Sequence, residues 1–160
     1  MINILLGVGA FAFMEFVAWS NHKYVMHGFL WKWHKDHHIN DHKKADEAQT
    51  YEPGMEKNDY FFLVYAIPAI VLLILGFWFK VSEMIAVGIG ISFYGLSYFT
   101  IHDVIIHERL KIPFLFRLKN NKFMSAVARA HMAHHRGKNI RDFENYGLLI
   151  FQFRFYKNKN

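Results

Sequence analysis

The sequence predicts an all-α integral-membrane protein: three transmembrane helices, a fourth span left open, and a cytosolic, helical, histidine-rich site for two metal ions. Three observations predict it. Long uncharged apolar stretches alternate with polar ones, the basic residues crowd into two of the polar segments, and ten of eleven histidines repeat one spacing pattern twice.

A chain of 160 residues has room for one domain, taken as 1–160. The apolar fraction is 53% and the aromatic fraction 18%, yet the mean hydropathy is only +0.05, so strongly apolar and strongly polar stretches share the chain. The absence of Cys removes disulfides, thiolate-ligated haem, Cys-held iron–sulfur clusters and Cys-rich zinc sites together. A net charge of +6 and a pI near 9.5 fit nucleic acid, an anionic membrane surface or topology. The placement of the charges decides for topology and against nucleic acid.

The first apolar stretch, residues 2–20, carries only Asn3 and Glu15 as clearly hydrophilic residues. It lacks a basic leader and a small-residue cleavage site and is expected to stay as an anchor. The second, residues 60–79, is 20 residues without a charge, about 30 Å as a helix, which matches the hydrocarbon thickness. The third, residues 84–101, is 18 residues and also uncharged. Residues 80–83 between them are expected to form a tight hairpin. Eighteen of nineteen Lys and Arg lie in segments 21–59 and 102–160. The positive-inside rule therefore places both segments in the cytosol, with the N-terminus and the Lys80 loop outside. Residues 112–130 mix apolar and basic positions and read as a membrane-surface helix. Residues 143–156 are apolar but short, so they are interfacial, re-entrant, packed on the bundle, or a fourth span.

The histidines carry the chemistry. His22 and His27, then His34, His37 and His38, form a first round; His102 and His107, then His131, His134 and His135, form a second. Each round reads His-x-x-x-x-His followed by His-x-x-His-His. On a helix the shorter motif lies on one face, at i, i+3 and i+4, and suits one metal or two. The longer motif puts its two residues about 140° apart on a straight helix. They share one ion only where the helix bulges or ends, as Gly28 and Pro113 suggest, or else they straddle two ions. Ten imidazoles are too many for one ion and about right for two. His42, outside the pattern, reads as a surface residue.

Neutral imidazole suits zinc, copper, iron and nickel, so the donors alone do not choose the metal. Asp36, Asp59 and Asp103 are candidates to accept the remote imidazole N–H, with ordinary solvated charge as the alternative. Glu15 lies seven residues before His22, about two turns below it on the same helix face. An acid within a span is costly, which turns it toward the bundle interior and the metal pocket.

These residues resemble the β-carotene 3-hydroxylase family, within the fatty-acid hydroxylase and sterol desaturase superfamily. The two-round histidine pattern belongs to the superfamily. Met14-Glu15, the run His22 to Gly28, the spacing from Trp33 to His38, Glu56-x-Asn58-Asp59, Tyr94-Gly95-x-x-Tyr98, Arg109 and Ala130 to His135 are more particular to the carotene hydroxylases. Asn145 to Leu149 and Val104 depart from the family pattern, and neither departure replaces a histidine of the motifs. The resemblance implies two non-haem irons, dioxygen as co-substrate, and hydroxylation of ring carbon 3 of β-carotene to cryptoxanthin and then zeaxanthin. It implies a carotenoid substrate in the lipid membrane and a ferredoxin-type electron donor, since the chain has no flavin or nicotinamide fingerprint. It expects no haem. Phe93, Tyr94, Tyr98 and Phe99 are candidate walls of a substrate tunnel, with lipid contact or helix packing as the alternative. Rival readings are a fatty-acid or sterol hydroxylase, a carotenoid ketolase, or a non-enzymatic membrane protein binding metal or haem.

Overall fold

The computed structural model of the chain describes residues 1–46, 55–137 and 142–157, the side chains of 41–46 excepted. The expectation for His42 therefore lies outside what is described. Every regular element among the described residues is helical. Helix α1 (Ile2–Ser20) runs directly into a π-helical segment, Asn21–Phe29. Gly28, at φ −100° and ψ −120°, breaks it and redirects the chain into α2 (Trp31–Asp46). A 3₁₀ turn, Lys57–Phe62, leads into α3 (Leu63–Phe79). The expected hairpin is tighter than its four residues: Lys80 adopts the left-handed conformation, Val81 is extended, and α4 (Ser82–Phe99) begins at once. The N–H of Val81 donates to the Gly76 carbonyl at 2.9 Å, which satisfies a carbonyl at the end of α3.

A second π-helical segment, Thr100–Ile106, continues α4. With these continuations, three helices among the described residues are long and apolar enough to cross a membrane: Ile2–Phe29, Lys57–Phe79 and Ser82–Ile106. Helix α4 lies between α1 and α3. Met14 and Ala18 of α1, Tyr65 and Ala69 of α3, and Ile91 and Tyr94 of α4 form one buried cluster. Gly7 and Gly90 let α1 and α4 approach closely; a Cβ built on Gly90 would sit 2.2 Å from the Gly7 carbonyl oxygen. Such small-residue contacts suit helices in lipid, where dispersion between backbones replaces hydrophobic burial. The outer faces stay apolar and exposed, as at Ile4, Phe13, Ile74, Phe77 and Phe93.

Residues 112–130 do not form one surface helix. They divide into α5 (Pro113–Phe116), a 3₁₀ turn (Arg117–Asn120) and α6 (Lys122–His135). The break is at Asn121, whose side chain accepts from the N–H groups of Phe123 and Met124 and caps α6. Helix α6 buries Ala126, Val127, Ala130, His131, His134 and His135 on one face. Residues 143–156 form no fourth span: they run as an irregular strap that ends in the short α7 (Arg154–Lys157).

Candidate metal centre

The two long histidine pairs sit in the two π-helical segments. A π-helix bonds i to i+5, so residues five apart stack one turn above the other. The N–H of His107 donates to the His102 carbonyl at 2.9 Å, and that of Leu30 to Val25 at 3.0 Å. The His22 and His27 rings come to 5.1 Å between centroids, and those of His102 and His107 to 4.6 Å. A bulge of the kind that lets such a pair share one ion is built into both helices, and each pair stays in one group.

Two groups result. His22, His27, His34, His38 and His134 form the first; His37, His102, His107 and His131 form the second. Within each group one nitrogen per ring lies within 4.8 Å of the others, and each group could hold a metal ion. His135 stands between them: its ring stacks on His38 at 4.3 Å, and its Nε2 lies 3.0 Å from that of His131. The short motifs therefore split. His34 and His38 serve one group while His37 serves the other, and His134 crosses from the second sequence round into the first group. All ten rings are buried.

The tautomers decide what these rings can bind. His34 Nδ1–H donates to Asn58 Oδ1 at 2.7 Å, and His37 Nδ1–H to Glu56 Oε2 at 3.0 Å. His22 Nδ1–H donates to the Tyr146 carbonyl at 2.8 Å, and His134 Nδ1–H to the Glu144 carbonyl at 2.7 Å. A neutral imidazole whose Nδ1 carries the proton has only a lone pair at Nε2. Yet the Nε2 atoms of His22 and His34 approach to 3.0 Å, lone pair against lone pair. His37 Nε2 is buried without a hydrogen-bond partner. Such an arrangement is repulsive unless a cation lies between the nitrogens. Two imidazoles about 2.1 Å from one ion and at right angles are about 3.0 Å apart, which matches the contacts of 2.9–3.1 Å across both groups. The residues fit a pair of transition-metal ions.

Electrostatics keep the rings in the ligating form. Burial, reinforced by neighbouring imidazoles, pushes His34, His131 and His135 well below the ordinary histidine value, and His134 down to about 4. His37 is also lowered by burial, although its hydrogen bond to Glu56 opposes this. Burial pushes the Glu56 carboxyl up, but hydrogen bonds from His37 and Asn40 and the nearby Arg109 charge hold it below the usual carboxylate range.

The expected acids divide. Asp103 meets His102 Nδ1 at 3.3 Å. Asp59 bonds no imidazole among the described residues; it pairs with both terminal nitrogens of Arg109, at 2.5 and 2.8 Å, and Arg109 reaches Asp103 at 3.2 Å. Asp36 bonds no imidazole among the described residues. It lies about 200° around α2 from His34, so it points away from the metal face. Glu15 turns into the bundle, 4% exposed, but accepts from Tyr94 Oη at 2.7 Å and from the N–H groups of Leu149 and Ile150 at 2.8 and 2.9 Å, not from a histidine. The imidazole partners absent from the expected set are Glu56, Asn58 and two backbone carbonyls. Glu56 and Asn58 stand in a polar turn directly before a span, a signal the sequence carries; the carbonyls carry none.

A cavity of about 870 Å³ opens between α3 and α4 and reaches His102. Its walls are apolar (Ala66, Ala69, Ile91 and Leu96 among them), and its inner end is polar, with Asn58, Asp59, Asp103 and Arg109. Tyr98 and Phe99 line it. Tyr94 is fully buried in the helix core beside it, and Phe93 faces outward, 60% exposed.

The sequence profile of the fatty acid hydroxylase family matches residues 7–154. The chain is 35% identical over 136 residues to a protein named beta-carotene hydroxylase from Paracoccus sp., covering 84% of this chain and 75% of that one. It is 30% identical over 150 residues to the beta-carotene hydroxylase of Pseudescherichia vulneris, covering 93% and 77%. To the chloroplastic beta-carotene 3-hydroxylase 2 of Arabidopsis thaliana it is 34% identical over 136 residues, covering 83% and 41%. No solved structure matches.

Proposed function

The chain belongs to the fatty acid hydroxylase family, and from that premise we propose that it is a di-iron monooxygenase that hydroxylates ring carbon 3 of β-carotene, giving cryptoxanthin and then zeaxanthin. The observation that carries this is the pairing of two inward-facing imidazole groups with an apolar cavity that ends at His102. A ring C–H offers no acid or base handle, so the chemistry must come from a bound oxidant. Two irons there would use dioxygen and two electrons to insert one oxygen atom into the C–H bond and release the other, with two protons, as water.

The residues of the chain do the rest. His22, His27, His34, His38 and His134 hold one ion and His37, His102, His107 and His131 the other, with His135 between them. Asn58, Glu56, Asp103 and the carbonyls of Tyr146 and Glu144 fix the tautomers. Ala66, Ala69, Ile91 and Leu96 exclude water and accept a hydrocarbon ring from the lipid side. The electron donor is a ferredoxin-type protein, for which the exposed Lys111, Arg117, Lys122 and Arg136 supply positive charge. The uneven distribution of Lys and Arg supports a cytosolic position for these residues.

Expression in a bacterial strain that accumulates β-carotene, followed by pigment analysis, tests substrate and reaction together. Zeaxanthin is the expected product. Unchanged β-carotene at full expression would transfer the proposal to a fatty-acid or sterol hydroxylase or a carotenoid ketolase. About two irons per chain, without haem absorption, is the expected metal content.

A further inference from the structure

Glu15 lies within a span, and its carboxylate reaches none of the histidines. What it holds instead is the strap, residues 143–150. Oε1 accepts from the N–H groups of Leu149 and Ile150, and Oε2 from the Tyr94 hydroxyl of α4. Gly147 leaves room for this contact, since a Cβ there would stand 2.8 Å from Glu15 Oε1. The side chain of Leu148, between these points, is buried against Ile101 and Val127. The strap is thus tied to α1 and α4 at one end.

Its other end reaches the metal centre. The carbonyls of Tyr146 and Glu144 accept from Nδ1 of His22 and His134. The Phe143 ring lies against His27, His38 and His134 at 4.3–5.4 Å, and Tyr146 against His22, His27 and His134. These rings all belong to the first group. In the second group, His37 is oriented instead by Glu56 and His102 by Asp103.

We propose that Glu15 is a positioning residue for one metal ion only: by anchoring the strap it fixes the two carbonyls that set the tautomers of His22 and His134. The proposal rests on the metal-centre reading above. It assigns to a carboxylate buried among span helices a task that its distance from the histidines conceals. Losing the anchor leaves the N–H groups of Leu149 and Ile150 without an acceptor, so the strap shifts and both Nδ1 protons lose their partners. Loss of such partners typically weakens metal affinity about 10- to 100-fold.

The test is titration of the metal-free, detergent-solubilised full chain with Co(II), read by visible absorption and metal analysis, with amide exchange followed over the strap. Wild type should bind two ions. Glu15→Leu should keep one at wild-type affinity, bind the other about 10- to 100-fold more weakly, and exchange the Leu149 and Ile150 amides faster. Glu15→Gln, whose amide oxygen can still accept from both N–H groups while its NH₂ faces Tyr94, should retain two. Gly147→Val, which leaves the spans untouched and pushes the strap from Glu15, should reproduce the leucine variant. Two ions at wild-type affinity in both the leucine and valine variants, or equal weakening of both ions, would overturn the proposal. A wild-type chain that binds no ion would instead remove the metal-centre reading itself.

Discussion

Replacing Gly90 by Ala tests how far the metal centre depends on helix packing deep in the span bundle. The added Cβ would lie 2.2 Å from the Gly7 carbonyl oxygen and 3.0 Å from the Ala10 Cβ. Ordinary contact begins near 3.4 Å, so α1 and α4 must part by about 1.2 Å at this level. Backbone cannot move aside as a flexible side chain does, and overpacking of this kind costs about 1–3 kcal/mol. For a chain of this length that lowers the unfolding midpoint by about 2–12 °C. The same displacement travels along two helices whose continuations carry His22 and His27 on one and His102 and His107 on the other. Ligating geometry tolerates about 0.5 Å. Gly90→Ala should therefore lose bound metal as well as stability, and Gly90→Val more of both. Gly9→Ala is the control: nothing lies within 4 Å of its Cβ, and Ala is the better helix former. The measurement is thermal unfolding in detergent with metal content on the same samples. A Gly90→Ala chain with the midpoint and metal content of wild type would refute the close packing of α1 on α4 and the coupling drawn from it.

His34→Ala and His134→Ala should each abolish hydroxylation of β-carotene while the protein still inserts; full activity in His134→Ala, measured by pigment analysis, would refute its role as a ligand. Ala66→Phe, on the cavity wall, should cut turnover severely at unchanged metal content, whereas equal loss of metal would show damage beyond the cavity. The metal-free protein should lose stability in acid. His134 takes up a proton at about 4 when folded and near 6.5 when unfolded, so its contribution is full above 6.5 and disappears as pH falls toward 4. At 1.36 kcal/mol per unit this is about 3 kcal/mol, with His34, His37, His131 and His135 shifted in the same direction. Urea midpoints of metal-free protein that stay level between pH 7.5 and 5 would contradict this.

The sequence by itself determined the three spans, the hairpin at Lys80 and the ten histidines, because hydrocarbon thickness and ligand chemistry act on local composition and spacing. It also posed the problem of the i, i+5 pairs correctly, since only a bulged or broken helix brings such residues together, and π-helical segments do so here. The tertiary structure alone decided the partition. His37 leaves its neighbours for the second group and His134 leaves its neighbours for the first, because consecutive positions on a helix point about 100° apart, so one helix offers imidazoles to two groups. It also chose the hydrogen-bond acceptors. Asp36 has the right chemistry on the wrong face of α2, while Glu56 and Asn58 gain their roles from a turn packed across from that helix. The carbonyls of Tyr146 and Glu144 are backbone atoms, present in every residue, so no side-chain pattern could single them out; only the path of the strap over the imidazoles does.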